Sequence, residues 1–298
     1  MSTIRNHLAL FAFAFVGFIW GSNFIFMKLA TELISPLQIV FVRVFFGFVP
    51  ILIFALAKGA IQLSHLKHFH HFLAMGLLAT IIYYFGFAKG TSLLTSGIAG
   101  AISGAIPLFS MFAAALFLKE EPITKWKLIG TLLGFIGILV LARPFGAELG
   151  SDTTQGALYM VLGAMSLGFS FVYAKRFISP LQISALALTT YQLGAGLLIS
   201  LFITDFTGIS NITTSTLSLV SSIFGLGILG TGMAYLCYYF IIEKLGALTA
   251  SSVTYIPPVV ALAIGGGLLG EAIELRDYLA TGLILMAVAI VAFSEKTK

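Results

Sequence analysis

Charge is what this chain lacks. Only 9% of its 298 residues are Asp, Glu, Lys or Arg, where a soluble domain carries roughly 25%. With 59% hydrophobic residues and a mean hydropathy of +1.07, a water-soluble fold would have nowhere to put its apolar surface. Cysteine is scarcer still: Cys237 stands alone, which excludes an intramolecular disulfide and a cysteine metal cluster. Carboxylates are missing from the middle of every apolar run, since Glu121, Asp205, Glu243 and Glu271 all fall near run ends. No nucleotide loop, zinc-protease motif or nucleophile–base pair is found, so neither an enzyme nor a cofactor is expected. The net charge of +5 does not point to nucleic acid either. Its basic residues sit singly or in pairs at segment ends, the pattern of membrane anchoring rather than of a phosphate-binding stripe.

What is present is a series of apolar runs at about 8–29, 36–57, 69–88, 93–118, 125–142, 155–174, 181–203, 217–240, 247–269 and 277–294. A span needs about 20 mostly apolar residues to cross roughly 30 Å of hydrocarbon, and it satisfies its backbone most simply as a helix. The expectation is therefore an all-α membrane protein of ten transmembrane helices. The break around Lys89-Gly90-Thr91-Ser92 is the least marked. The N-terminus runs into the first span without a small-residue cleavage site, which reads as a retained span rather than a removed signal peptide. Orientation follows from the cations. Arg5, Lys58, Lys67, Lys119, Lys125, Lys127, Lys175, Arg176, Lys244, Lys296 and Lys298 fall on one side, against Lys28, Lys89, Arg143 and Arg276 on the other. Both termini are expected in the cytoplasm.

The chain also repeats itself. Ile34-Ser35-Pro36-Leu37-Gln38-Ile39 recurs as Ile178-Ser179-Pro180-Leu181-Gln182-Ile183, Gly21 and Lys28 match Gly168 and Lys175, and Ile106-Pro107 matches Ile256-Pro257. The residues after each proline match too, Glu121 following Pro107 at the distance at which Glu271 follows Pro257. Halves at 1–147 and 148–298 hold five spans each, an odd number, so the second enters the membrane upside down. Inverted repeats are a recurring plan of secondary transporters, although a duplicated scaffold without transport would look the same.

Trp20-Gly21-Ser22-Asn23, Lys28, Pro36, Arg43, the Pro107 span closing in Leu118-Lys119-Glu120-Glu121, and Gly130/Gly134/Gly137 resemble the EamA branch of the drug/metabolite transporter superfamily. The resemblance covers the whole chain. It implies a ten-helix, basket-like carrier whose central cavity is lined by the first, third, fourth, sixth, eighth and ninth helices. Members export amino acids and related metabolites, and relatives import choline-like molecules or exchange sugar phosphates. The small four-helix multidrug pumps of the superfamily place a glutamate eight residues before the first-helix lysine. Here that position holds Trp20, and Leu167 in the second half, which weakens a carry-over of their proton antiport.

Arg43 is the one charge well inside an apolar run, a costly placement that points to a cavity or a partner. Its planar fork suits a substrate carboxylate, and a structural pairing with helix-end carbonyls is the alternative. Trp20, Tyr83, Tyr84, Tyr235 and Tyr255 lie deep on helices of the implied cavity, where each either lines the site or fills core. Asn23 adds a polar group beside Trp20. These residues form the candidate substrate site, with Pro107 and Pro257 as paired hinges. His65, His68, His70 and His71 read as interfacial rather than as a metal site, no cysteine or carboxylate being near in sequence. The expected function is export of amino acids or related metabolites across the inner membrane by alternating access, by a monomer or homodimer in the bilayer. Import of a choline-like cation is the alternative.

Overall fold

The computed structural model describes residues 2–117, 125–142, 152–245 and 252–296, and their regular structure is entirely helical. Glu121 and Arg143 of the sequence reading lie outside the described residues. Helix α1 covers Ser2–Thr31, α2 Pro36–Ala57, α3 Leu63–Leu93 and α4 Ser96–Phe117. They are followed by α5 at Lys125–Ala142, α6 at Asp152–Leu181 and α7 at Ala185–Ile203. The series ends with α8 at Thr216–Lys244, α9 at Val253–Gly267 and α10 at Leu275–Lys296. Seven of these helices are long and apolar enough to cross a membrane, and shorter apolar helices run over Leu128–Leu141 in α5 and Val253–Gly267 in α9. Large apolar side chains stand exposed on the outside, Phe11, Leu158, Phe202 and Leu279 among them. In lipid these contacts carry no penalty; in water they would.

The helix ends follow from short-range chemistry. Helix α2 starts at a capping box: the Ser35 hydroxyl accepts from the Gln38 N–H and the Gln38 side chain accepts from the Ser35 N–H, with Pro36 in the first turn. The identical hexapeptide at 178–183 does something else. There α6 continues through a π turn and a 3-10 turn to Leu181, Gln182 takes the left-handed conformation (φ 54°), and Ser184 caps α7 instead. A serine directly after the second copy offers a later cap, and the helix start moves to it.

The break between α3 and α4 is fixed from far away in the chain. Lys28 Nζ donates to the carbonyls of Thr91, Ser92 and Leu94 (3.3, 3.4 and 2.8 Å) at the end of α3. Glu271 accepts from the Ser96 N–H (2.8 Å), the Ser96 hydroxyl (2.9 Å) and the Gly97 N–H (3.1 Å) at the start of α4. A cation on a helix C-terminus and an anion on an N-terminus both match the peptide dipole. Sequence reading marks this break least because its caps sit 63 to 175 residues away.

Helix α1 packs on α8 and α9, α2 on α7 and α8, α3 on α6 and α7, α4 on α6 and α9, and α5 on α10. Helices α2 and α7 run antiparallel. Gln38, at the start of α2, donates to the carbonyls of Asp205 and Thr207 beyond the end of α7 (2.7 and 2.9 Å). Tyr191, near the start of α7, accepts from the Gln62 N–H beyond the end of α2 (3.0 Å). Backbones touch where α3 meets α6: a Cβ on Gly86 would lie 2.6 Å from the Tyr159 carbonyl oxygen.

Pro107 and Pro257 each occupy the second position of a helical stretch, Ile106–Phe117 and Ile256–Gly267. The chain bends just ahead of them, at a turn over Gly104-Ala105 and a 3-10 turn over Ser252–Tyr255. In a first turn the missing N–H costs no internal hydrogen bond. At both expected hinges the proline thus follows a helix break rather than kinking the middle of a helix.

Candidate functional site

Helices α1, α2, α3 and α8 converge on Arg43, which is 4% exposed. Its Nε donates to Thr231 Oγ1 (3.0 Å), and its guanidinium lies 3.9 Å from the centroid of the Tyr84 ring. Asn23, set so that its amide nitrogen donates to the Ile19 carbonyl (3.1 Å), accepts from Arg43 Nη2 (3.3 Å). No carboxylate pairs with Arg43 among the described residues. An arginine in hydrocarbon costs about 2.5–3.5 kcal/mol on insertion scales. Here a hydroxyl, an amide and a ring face offset that cost without neutralising the charge.

The aromatic groups continue outward. Tyr83 stacks at a tilt on Tyr84 (4.8 Å between centroids), and Tyr84 shares an apolar cluster with Tyr235. Tyr235 meets Trp20 edge to face (6.4 Å), and Trp20 in turn packs against Tyr238 (5.6 Å). The structure therefore joins Asn23, Arg43, Tyr83, Tyr84, Tyr235 and Trp20 in one continuous group. Tyr255 reaches it indirectly, through the apolar core it shares with Tyr83. Asn23 and Tyr84 are buried at 4% and 2% exposure, so the site is closed around the guanidinium in this conformation.

Backbone irregularity coincides with the group. Helix α8 is wound as a π-helix over Ser221–Met233 and α3 over Leu77–Ile82, just before Tyr235 and just before Tyr83-Tyr84. The Thr231 hydroxyl donates to the Leu226 carbonyl five residues back (2.9 Å), which steadies the wide turn while it accepts from Arg43. π segments are rare and concentrate at functional sites. A second bridge has the same construction: Gln192 Nε2 donates to Thr80 Oγ1 (3.3 Å), with Gly196 packed on Thr80 as Gly47 is packed on Thr231. Sequence reading misses Thr80, Gln192 and Thr231. Their only signal is a polar residue within an apolar run, and threonine there is common because its hydroxyl can bond its own helix.

Of His65, His68, His70 and His71, two are held by tyrosines. His65 Nδ1 pairs with the Tyr191 hydroxyl (3.1 Å) and His71 Nδ1 with the Tyr173 hydroxyl (2.8 Å). No group of three or more metal-ligating side chains occurs among the described residues.

A buried cation among aromatic rings, inside a bundle of membrane-length helices, marks a candidate binding site. The pattern of the EamA-like transporter family matches this chain twice, over residues 7–143 and 154–293, and the chain belongs to that family. YedA of Escherichia coli (strain K12), an uncharacterized inner membrane transporter, is 29% identical, with 98% of this chain and 93% of YedA covered. An uncharacterized transporter of Archaeoglobus fulgidus is 26% identical over 91% of this chain and 94% of its own length. One protein of known crystal structure superposes with a TM-score of 0.58 at 20% identity, over 97% of this chain and 98% of that one, a likeness of fold alone. The chain is a membrane transporter of small molecules.

Proposed function

We propose that this transporter is a ten-span secondary carrier that exports amino acids or related small metabolites across the inner membrane by alternating access. Its halves, 1–147 and 148–298, form inverted repeats with both termini in the cytoplasm, and Pro107 and Pro257 mark the paired hinges. The repeat is supported by the double family match and by the nine most closely packed helix pairs: exchanging each helix for the one five places on leaves those nine pairs unchanged. Antiparallel α2 and α7 support the inversion.

The observation that carries the substrate reading is Arg43, charged, buried and held only by neutral groups. It leaves a planar fork for one carboxylate, with Trp20, Tyr83, Tyr84 and Tyr235 to receive an apolar body. Tyr255 lines the approach. A single cation suits a zwitterion better than a phosphorylated sugar, which would want several. The edge-to-face pair Trp20–Tyr235 favours a choline-like cation as the second reading, but Arg43 in the same group opposes it. Thermal unfolding of the purified protein against amino acids, quaternary amines and sugar phosphates tests the reading, because a ligand of the folded state raises apparent stability. Stabilisation by amino acids is expected; stabilisation by sugar phosphates or choline alone overturns it. Efflux from loaded vesicles then fixes direction.

A further inference from the structure

Away from Arg43, a cavity of about 490 Å³ opens between α3, α4 and α6. Its wall is apolar almost throughout, formed by Leu78, Ile82, Leu162, Met165, Phe169 and neighbouring side chains. The neutral polar side chains in that wall are already engaged. The Ser166 hydroxyl donates to the Leu78 carbonyl (2.7 Å), and the Tyr173 hydroxyl is bonded to His71 (2.8 Å). Nothing there asks for a polar metabolite.

The lips of the cavity are open to the outside at Leu162 and Phe177, 47% and 44% exposed. From Leu162 to Arg176 the lining follows α6 for about 20 Å at a helix rise of roughly 1.5 Å per residue, more than the ~15 Å depth of one leaflet. Arg176 closes one end. Its Nη1 donates to the Phe117 carbonyl at the end of α4 (2.9 Å), a bond that fixes the guanidinium at the mouth and leaves its other N–H groups directed elsewhere. Lys175 and the histidines of α3 place this end at the lysine-rich membrane interface.

We propose that this groove is a binding site for one anionic phospholipid, with an acyl chain along the wall of α6 and the phosphate on Arg176. Length, apolar lining and lateral opening fit a chain that stays in the bilayer. A single exposed guanidinium at the interfacial end fits a phosphodiester, which arginine can bind through two parallel N–H donors.

Native mass spectrometry of the delipidated full chain, in equal mixtures of phosphatidylglycerol and phosphatidylcholine, tests the assignment. Phosphatidylglycerol is expected to be retained about five- to tenfold over phosphatidylcholine, the worth of one interfacial cation. Arg176→Gln should erase that preference and Arg176→Lys should keep part of it. Met165→Trp, or Leu162→Trp at the exposed lip, should reduce retention of both lipids. Thermal unfolding of each variant checks that it folds. Equal retention of the two lipids by the unaltered protein overturns the headgroup assignment. Retention untouched by both tryptophan variants overturns the groove. Full displacement by inorganic phosphate, or by an amino acid, would make it a site for a soluble ligand and overturn the lipid.

Discussion

The role proposed for Arg43 would separate function from folding at the level of one side chain. A charge without a carboxylate partner contributes little to stability, and burying it is a cost that a binding site tolerates. Arg43→Met is accordingly expected to leave the melting temperature unchanged or higher while transport in vesicles falls by about tenfold or more, the worth of a charged hydrogen bond. A variant that unfolds while the transport of its folded fraction survives would make Arg43 structural. Tyr84→Phe keeps the ring under the guanidinium and should transport nearly normally; Tyr84→Leu removes about 0.5–2 kcal/mol of ring attraction and should not. Much of this group was readable beforehand. A lone charge in an apolar run and aromatic residues at depth are visible without coordinates. Thr231 was not, because a threonine bonding its own helix and a threonine receiving an arginine look alike in one dimension.

At the scale of the element, helix ends are set as much by remote partners as by local ones. Glu271→Gln should weaken the start of α4 by about 1–3 kcal/mol, read as faster amide exchange at Ser96 to Ile98. Lys28→Met should loosen the end of α3 by up to about 2 kcal/mol. The same two charges explain why this boundary is the least marked in hydropathy, which sets the break at 89–92 where the helix runs on to Leu93. Beyond α7, Asp205 is held below the ordinary carboxylate value of 3.8 by the Thr207 backbone N–H and then by the Thr207 hydroxyl. Its stabilisation is complete above that ordinary value and is lost as pH falls through the lower folded one. Melting temperature against pH should therefore decline less steeply below about pH 4 in Asp205→Asn than in the unaltered protein.

The proposed inverted repeat has what one half does on one face of the membrane done by the other half on the opposite face. Single cysteines introduced at Ser64 and Thr213 in a Cys237→Ser background test this directly. An impermeant maleimide added to intact cells should label Thr213→Cys at once and Ser64→Cys only after permeabilisation; equal labelling would contradict the inversion. The hexapeptide at 34–39 and 178–183 bears on how such a molecule diverges. Gln38 precedes Arg43 by five residues and Gln182 precedes Gln192 by ten, yet Gly47 and Gly196 meet corresponding threonines. A chimera that grafts α2 onto the second half in the register of the shared letters would turn the helix by about 140° and present the wrong side chains to α3. Grafted in the register of the two glycines, it should assemble. The proposed repeat is kept in the packing of glycine on threonine, and the best-preserved stretch of text points to the wrong graft.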